Sequence, residues 1–128
     1  MSQTATLTRS PDWPLQVKAP GMPDWERTAT QWLRNLLPAR YGGYLPLTRH
    51  PVLLTRHVQL QLEHETRAVR SALRTSRAEL PALGVAESVI EKTIRMYAVE
   101  LEQLARLSRG VRLVSEALLM DSPAPRRR

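Results

Sequence analysis

The sequence predicts an all-α fold, made of a long antiparallel helical hairpin, a short N-terminal helix and an extended, proline-rich arm. Two stretches between residues 51 and 120 repeat apolar residues at helical spacing, and the breaker Pro81-Ala82-Leu83-Gly84 separates them. Seven of the ten prolines stand within residues 1–51, where they interrupt any long helix. The predicted organisation is therefore an arm at 1–23, a helical domain at 24–120 and a disordered basic tail at 121–128.

The arm repeats the tripeptide Pro-Asp-Trp, which stands at 11–13 and again at 23–25. One interpretation is a duplicated linear motif whose tryptophans fill pockets on a partner, because buried Trp often dominates the energetics of an interface. The other interpretation is that the tryptophans fold back over the apolar face of the hairpin. Both concern Trp13 and Trp25, together with Trp32 of the following helix.

The short helix is predicted at 24–37, with Asp24 as its N-cap and Glu26 in its first turn. It ends before Pro38, and one side of it is apolar: Trp25, Ala29, Trp32, Leu33 and Leu36. The loop at 38–48 contains Tyr41-Gly-Gly-Tyr44, which matches neither the GxGxxG nor the GxxxxGKS/T phosphate-binding pattern. We expect a tight turn with aromatic anchors there.

The hairpin is predicted at 49–120. Thr48 can cap its first helix, and Pro51 is tolerated in the opening turn. Pro81 ends this helix, because a residue that precedes proline disfavours the helical region. The apolar residues fall in a sector about 100° wide, which is an ordinary core-facing stripe; they are Leu54, Val58, Leu62, Val69, Leu73 and Leu80.

The second helix of the hairpin carries a wider apolar stripe, which covers about 160°. Its members are Val85, Val89, Ile90, Met96, Tyr97, Leu101, Leu104, Leu107, Val111, Val114 and Leu118, with Ile94 and Leu119 at the edges. One antiparallel neighbour cannot bury a stripe of this width, and apolar surface left in water costs about 25 cal/mol per Å². A third helix, a second copy or a foreign partner must therefore cover it. We expect a homodimer, because two hairpins that form a four-helix bundle bury both stripes.

The positive charge is unevenly distributed. The chain carries a net charge of +7 and has a pI near 11.0. Residues 81–120 hold five basic and five acidic residues, so the second helix is neutral. There, acids precede arginines by four residues in Glu91/Arg95 and Glu102/Arg106, an arrangement that stabilises a helix by about 0.2–0.5 kcal/mol per pair. Gly110 interrupts the same helix at a cost of about 1 kcal/mol relative to alanine.

An arginine ridge is predicted on the first helix. Arg67, Arg70, Arg74 and Arg77 project within about 80° of one another, and Arg56 lies on the same side. Like charges at this spacing repel, so a helix that keeps them stacked could face phosphates or an acidic protein surface. A solvated face in an arginine-rich protein gives the same pattern, and no aromatic residue interleaves with the ridge for base stacking. The ridge is the candidate contact for anions or nucleic acid.

The three histidines, His50, His57 and His64, stand seven residues apart. Two helical turns separate neighbouring rings by about 10.5 Å, whereas the ligands of one zinc ion lie about 2.0–2.3 Å from it. The histidines therefore cannot share a metal ion within one chain. We predict instead a buried polar pairing of His57 and His64 with Glu100, which falls within the apolar sector and would otherwise be an unpaired buried charge.

The composition argues against several classes of protein. The chain has no cysteine, so it has no disulfide framework and no thiolate chemistry. No apolar run approaches the roughly 18 residues of a membrane-spanning helix, and the first residues lack the apolar core of a signal peptide. We expect a cytoplasmic protein that uses neither a cofactor nor a metal.

No catalytic pair, activated nucleophile or cofactor motif is recognisable. The leading hypothesis is a non-enzymatic intracellular adaptor or regulatory protein that acts through protein–protein helix packing, as a homodimer. The alternative is a nucleic-acid-associated protein that binds phosphates through the arginine ridge and the tail, Arg126 to Arg128. A third class, an enzyme subunit that supplies helices to a shared active site, is compatible with the same features.

Overall fold

The computed structural model describes residues 7–121, apart from the side chain of Asp121. This part of the chain is mostly helical and contains no β-strand, so the all-α prediction is confirmed. The helices are α1 (Trp25–Asn35), α2 (Leu45–Arg49), α3 (Pro51–Glu79) and α4 (Glu87–Asp121), with 3₁₀ turns at Ala39–Gly43 and Pro81–Leu83. The tail predicted at 121–128 lies outside the described residues, except that Asp121 ends α4.

Helices α3 and α4 pack along each other as an antiparallel hairpin. The chain reverses at the 3₁₀ turn and at Gly84, whose φ of 84° lies in the left-handed region that glycine adopts without steric cost. Across this turn the backbone N–H of Val85 donates to the carbonyl of Leu80 at 3.1 Å. Helix α4 then begins at Glu87, two residues after the start of the predicted apolar stripe.

Both predicted N-caps differ from the structure in their hydrogen bonding. Thr48 does not cap α3, because residues 45–49 form their own short helix, and its hydroxyl donates to the carbonyl of Leu45 at 3.3 Å. His50 stands in the N-cap position of α3, and Pro51 follows in the first turn as predicted. Asp24 precedes α1 with a φ of 64° and makes no capping hydrogen bond. Its carboxylate lies 3.6 Å from the guanidinium of Arg27 instead.

The sequence predicts an extended arm at 1–23. Residues 1–6 lie outside the described residues, and residues 7–23 are not extended but fold back through a series of turns. Backbone hydrogen bonds close turns at 10–13, 14–17 and 19–22. Pro11 and Pro20 stand second in their turns, where a fixed φ near −65° is favourable, and Gly21 supplies the positive φ of 91° that a type II turn needs. The prolines therefore serve to bend the arm.

The core lies at one end of the hairpin, which we call the base. There α1 packs on both α3 and α4, and the arm residue Val17 is buried with them. The main buried side chains are Trp25, Ala29, Trp32 and Leu33 of α1, Leu54, Val58 and Leu62 of α3, and Leu104, Val111, Val114, Ala117 and Leu118 of α4. Between residues 63 and 103 Ile90 alone among the apolar side chains is fully buried. The distal half of the hairpin is thus two helices thick and open on its sides.

Candidate functional site

One face of α4 is covered at the base by the arm and by α1. The contact centres on Gly110: a Cβ placed there would lie 3.1 Å from the carbonyl oxygen of Asp12, 3.4 Å from the ring of Trp32 and 3.5 Å from Pro14. An ion pair of 3.0 Å between Asp12 and Arg109 holds the arm alongside. The glycine that interrupts the predicted helix therefore has a packing reason, because a larger residue would push the arm away.

The same face continues along α4 without cover. Along a helix, a step of seven residues rotates the side-chain direction by about 20° less than two full turns. Residues seven apart therefore lie on nearly the same side. Gln103, Met96 and Val89 precede Gly110 in steps of seven, and Val99 precedes Arg106, which lines the cleft under the arm, by the same step. Val89, Met96 and Val99 are 49%, 54% and 55% exposed. These three side chains are the apolar part of what we call the open face.

Of the three residues in the predicted polar pairing, His64 and Glu100 flank the open face. His57 lies under the loop that follows α1, with its ring centroid 5.2 Å from that of Tyr41, and His64, seven residues later, is exposed. Glu100 stands seven residues before Leu107, and Leu107 packs against the core. By helix phase, His64 and Glu100 both lie on the side of the hairpin that the loop and α1 cover at the base.

The structure does not bring the predicted polar pairing together within one chain. In the described part of the molecule, no hydrogen bond or ion pair joins either histidine to Glu100. Nε2 of His57 is buried without a hydrogen-bond partner among the described residues, and the ring of Tyr41 packs beside His57, for which the prediction gave a carboxylate as partner. His64 lies beyond the covering loop and points to solvent.

All five side chains of the arginine ridge are exposed. Arg77 differs from the others because it reaches across the turn to Glu91. Its Nη2 lies 3.3 Å from Oε2 of Glu91, and its Nη1 donates a hydrogen bond to Oε1. Arg56, Arg67, Arg70 and Arg74 form no ion pair within residues 7–121. The ridge available to an anion is therefore these four residues.

The ion pair shifts the titration of both partners. The hydrogen bond from Arg77 is the main cause that lowers the pKa of Glu91, and the same bond raises the pKa of Arg77. We expect Arg77→Gln to move the pKa of Glu91 back up towards its ordinary value, as measured by carbon NMR of the carboxyl group. Arg70→Gln removes the same charge from the same helix without touching Glu91 and serves as the control. An unchanged pKa in Arg77→Gln would contradict the ion pair.

The sign of the effect on stability follows from the lowered pKa. A carboxylate with a depressed pKa in the folded state stabilises the fold above its unfolded pKa and loses that contribution as pH falls through the folded value. The stability difference between the wild type and Arg77→Gln should therefore be present at neutral pH and disappear in acid. Because both groups are exposed, we expect it to be small.

The three tryptophans pack on their own chain. Trp25 and Trp32 are buried in the core, and Trp13 packs against it with its ring centroid 6.2 Å from that of Trp25. The indole Nε1 of Trp13 donates to the carbonyl of Val17 at 2.9 Å. This placement favours the interpretation in which the repeated tripeptide covers the hairpin.

A second apolar area lies at the base, on Val52, Leu53, Leu119 and Met120, which are all exposed. Leu119 and Met120 stand next to the undescribed end of the chain, whereas the open face lies in the middle of a helix. Among residues 7–121, no cluster of three or more His, Asp or Glu side chains could hold a metal ion. In the same residues, no helix combines the length and apolarity needed to cross a membrane.

The chain matches no protein-family model, and comparisons with curated proteins and with solved structures give no match either. Its function must therefore be inferred from its geometry.

Proposed function

We propose that this protein is a non-enzymatic helical adaptor or regulator that acts through helix packing, as a homodimer whose copies cover each other's open faces. The observation that carries the proposal is the continuity of one face of α4. At the base that face is covered by a helix and by the arm, while its distal half carries Val89, Met96 and Val99 about half exposed. The cytoplasmic location expected from the cysteine-free composition is part of the same proposal.

The free energy gained by burying apolar side chains favours a second copy of the chain as the partner. Burying the exposed half of each of these side chains contributes roughly 1 kcal/mol, and a symmetric dimer doubles the number of side chains buried. A two-fold pairing of the distal halves forms a four-helix bundle, in which helices pack about 20° from antiparallel. His64 and Glu100 flank the face, and a polar pair formed between copies would set the register of the bundle.

The mass of the protein in solution tests this proposal. Sedimentation equilibrium over a range of concentrations should give a particle of twice 14.6 kDa that dissociates on dilution. The adaptor role adds a further expectation, that a defined protein partner is recovered from the native cell with the dimer. A particle that stays monomeric at every concentration would contradict the self-association.

A second candidate function, binding of nucleic-acid phosphates, is supported by four exposed arginines of α3 that form no ion pair with residues 7–121. We expect any binding to generic duplex or RNA to weaken steeply as salt rises, because each phosphate contact releases counterions. The double variant Arg70→Glu and Arg74→Glu should abolish it and leave the helical content intact.

A matched control is available on α4. Lys92 and Arg95 are exposed and lie off the arginine ridge, and Lys92→Glu with Arg95→Glu gives the same change in net charge. If both double variants weaken binding equally, the ridge has no special role. No detectable binding at low salt in the wild type would end this second candidate.

A further inference from the structure

A cleft of about 320 Å³ lies between the C-terminal half of α1 and the loop that follows it. Its polar lining comes from Gln31, Arg34, Asn35, Tyr41 and Thr48, and its apolar lining includes Leu37 and Pro38. The volume is within the range of small-molecule sites, which combine an apolar wall with a few convergent polar groups.

Arg34 is the charged group of this cleft, and it is partly removed from water. Its Nε is buried without a hydrogen-bond partner in the described structure, and the guanidinium forms no ion pair with a carboxylate of residues 7–121. A guanidinium that loses water without gaining a counter-charge raises the free energy of the fold. An anion in the cleft would supply the missing counter-charge to the guanidinium.

The surrounding sequence supplies no internal anion. Residues 27–62 contain five arginines and two histidines and no aspartate or glutamate at all. One of these arginines lies close to the cleft wall, because the guanidinium of Arg40 stands 5.0 Å from the ring centroid of Tyr41. The local potential therefore attracts negative charge into the cleft.

We propose that this cleft binds a small organic molecule through an oxyanion group, a carboxylate or a phosphate, with Arg34 as its charged contact. The amide nitrogen of Gln31 donates to Oδ1 of Asn35 at 3.0 Å, which leaves the amide nitrogen of Asn35 free to donate to the ligand. The hydroxyl of Tyr41 is a second neutral donor, and Leu37 and Pro38 contact the body of the ligand. The cleft lies at the base, away from the open face, so this inference stands independently of the dimer.

Titration with inorganic phosphate and, separately, with acetate tests the proposal at constant ionic strength. The backbone amide resonances of Gly42 and Tyr41, which line the cleft, should shift and saturate with at least one of the two anions. Phosphate alone would identify a phosphorylated ligand, and acetate alone a carboxylic acid. Absence of a saturable shift with both anions, up to tens of millimolar, would overturn the proposal.

Substitutions at Arg34 show whether the cleft is responsible. Arg34→Gln should weaken binding by about tenfold or more, since it removes a charge-assisted hydrogen bond. Arg27→Gln removes the same charge from the exposed side of the same helix and should leave the affinity nearly unchanged. If Arg34→Gln does not fold, Arg34→Lys decides, because it keeps the charge and loses the planar fork, so binding should weaken severalfold. Equal affinity in the wild type and the Arg34 variant would overturn the assignment.

Discussion

Replacing Trp25 with alanine is expected to lower the free energy of unfolding by about 3–5 kcal/mol, the usual cost of deleting a large buried aromatic side chain. Trp25 is only 4% exposed and contacts Trp13, so the substitution removes core volume and loosens the arm at the same time. Urea unfolding followed by circular dichroism measures the loss, with the wild type and the variant at equal concentration because the proposed dimerisation would also affect stability.

Met22→Ala is the matched control for this experiment. Met22 lies in the arm just before α1, but its side chain is 54% exposed, so its removal should change stability by less than about 0.5 kcal/mol. Equal stability of Trp25→Ala and the wild type would mean that neither α1 nor the arm residue Trp13, which contacts Trp25, packs on the hairpin. The uncovered face of α4 would then extend to the base.

Met96→Glu is expected to weaken the proposed homodimer by on the order of 100-fold or more, since each copy would bury an unpaired carboxylate in an apolar interface. Met96 is more than half exposed in the single chain, so the substitution should leave the helical content and the fold of each copy intact. The dissociation constant from sedimentation equilibrium measures the effect.

The control for this substitution lies in the second apolar area. Val52→Glu places the same charge on an equally exposed apolar residue, at the base of the hairpin, and should leave the dimer unchanged. A dimer that survives Met96→Glu and dissociates in Val52→Glu would assign the interface to the base and contradict the role of the open face.

Much of the fold could be predicted from the sequence because its determinants are local. Apolar spacing indicates the two long helices, and Pro81 with Gly84 marks the reversal between them. The helix starts were less predictable. Thr48 is a good N-cap by residue type, but it lies in a short helix in which its hydroxyl donates to the carbonyl of Leu45. Whether this short helix forms depends on how the whole loop packs.

The sequence could predict that a face of α4 needs a partner, but it could not predict which part of α4 that face occupies. The width of the stripe on α4 shows that some cover is needed, but periodicity does not tell which half the arm covers. That choice depends on tertiary contacts such as those at Gly110. The pairing of Arg77 with Glu91 was missed for the same reason: the rule for residues four apart pointed to Arg95, and the register between α3 and α4 is absent from the sequence pattern.

Arg34 gave no signal of its own in the sequence. It stands on a polar side of a short helix, and only the folding of the following loop over it creates the cleft. The lack of any acidic residue between 27 and 62 is visible in the sequence and could have directed attention to this segment.

The distance between equivalent sites in two copies tests the central claim most directly. The chain has no cysteine, so Ala98→Cys, exposed on the side of α4 opposite Val89 and Met96, can carry a single nitroxide label for double electron–electron resonance. If the two-fold axis crosses α4 between Val89 and Glu100, the rise per residue and the spacing of packed helices place the labels within about 35 Å of each other. We predict a narrow distribution below that distance. A lack of dipolar coupling between copies would contradict the proposal that a second copy covers the open face.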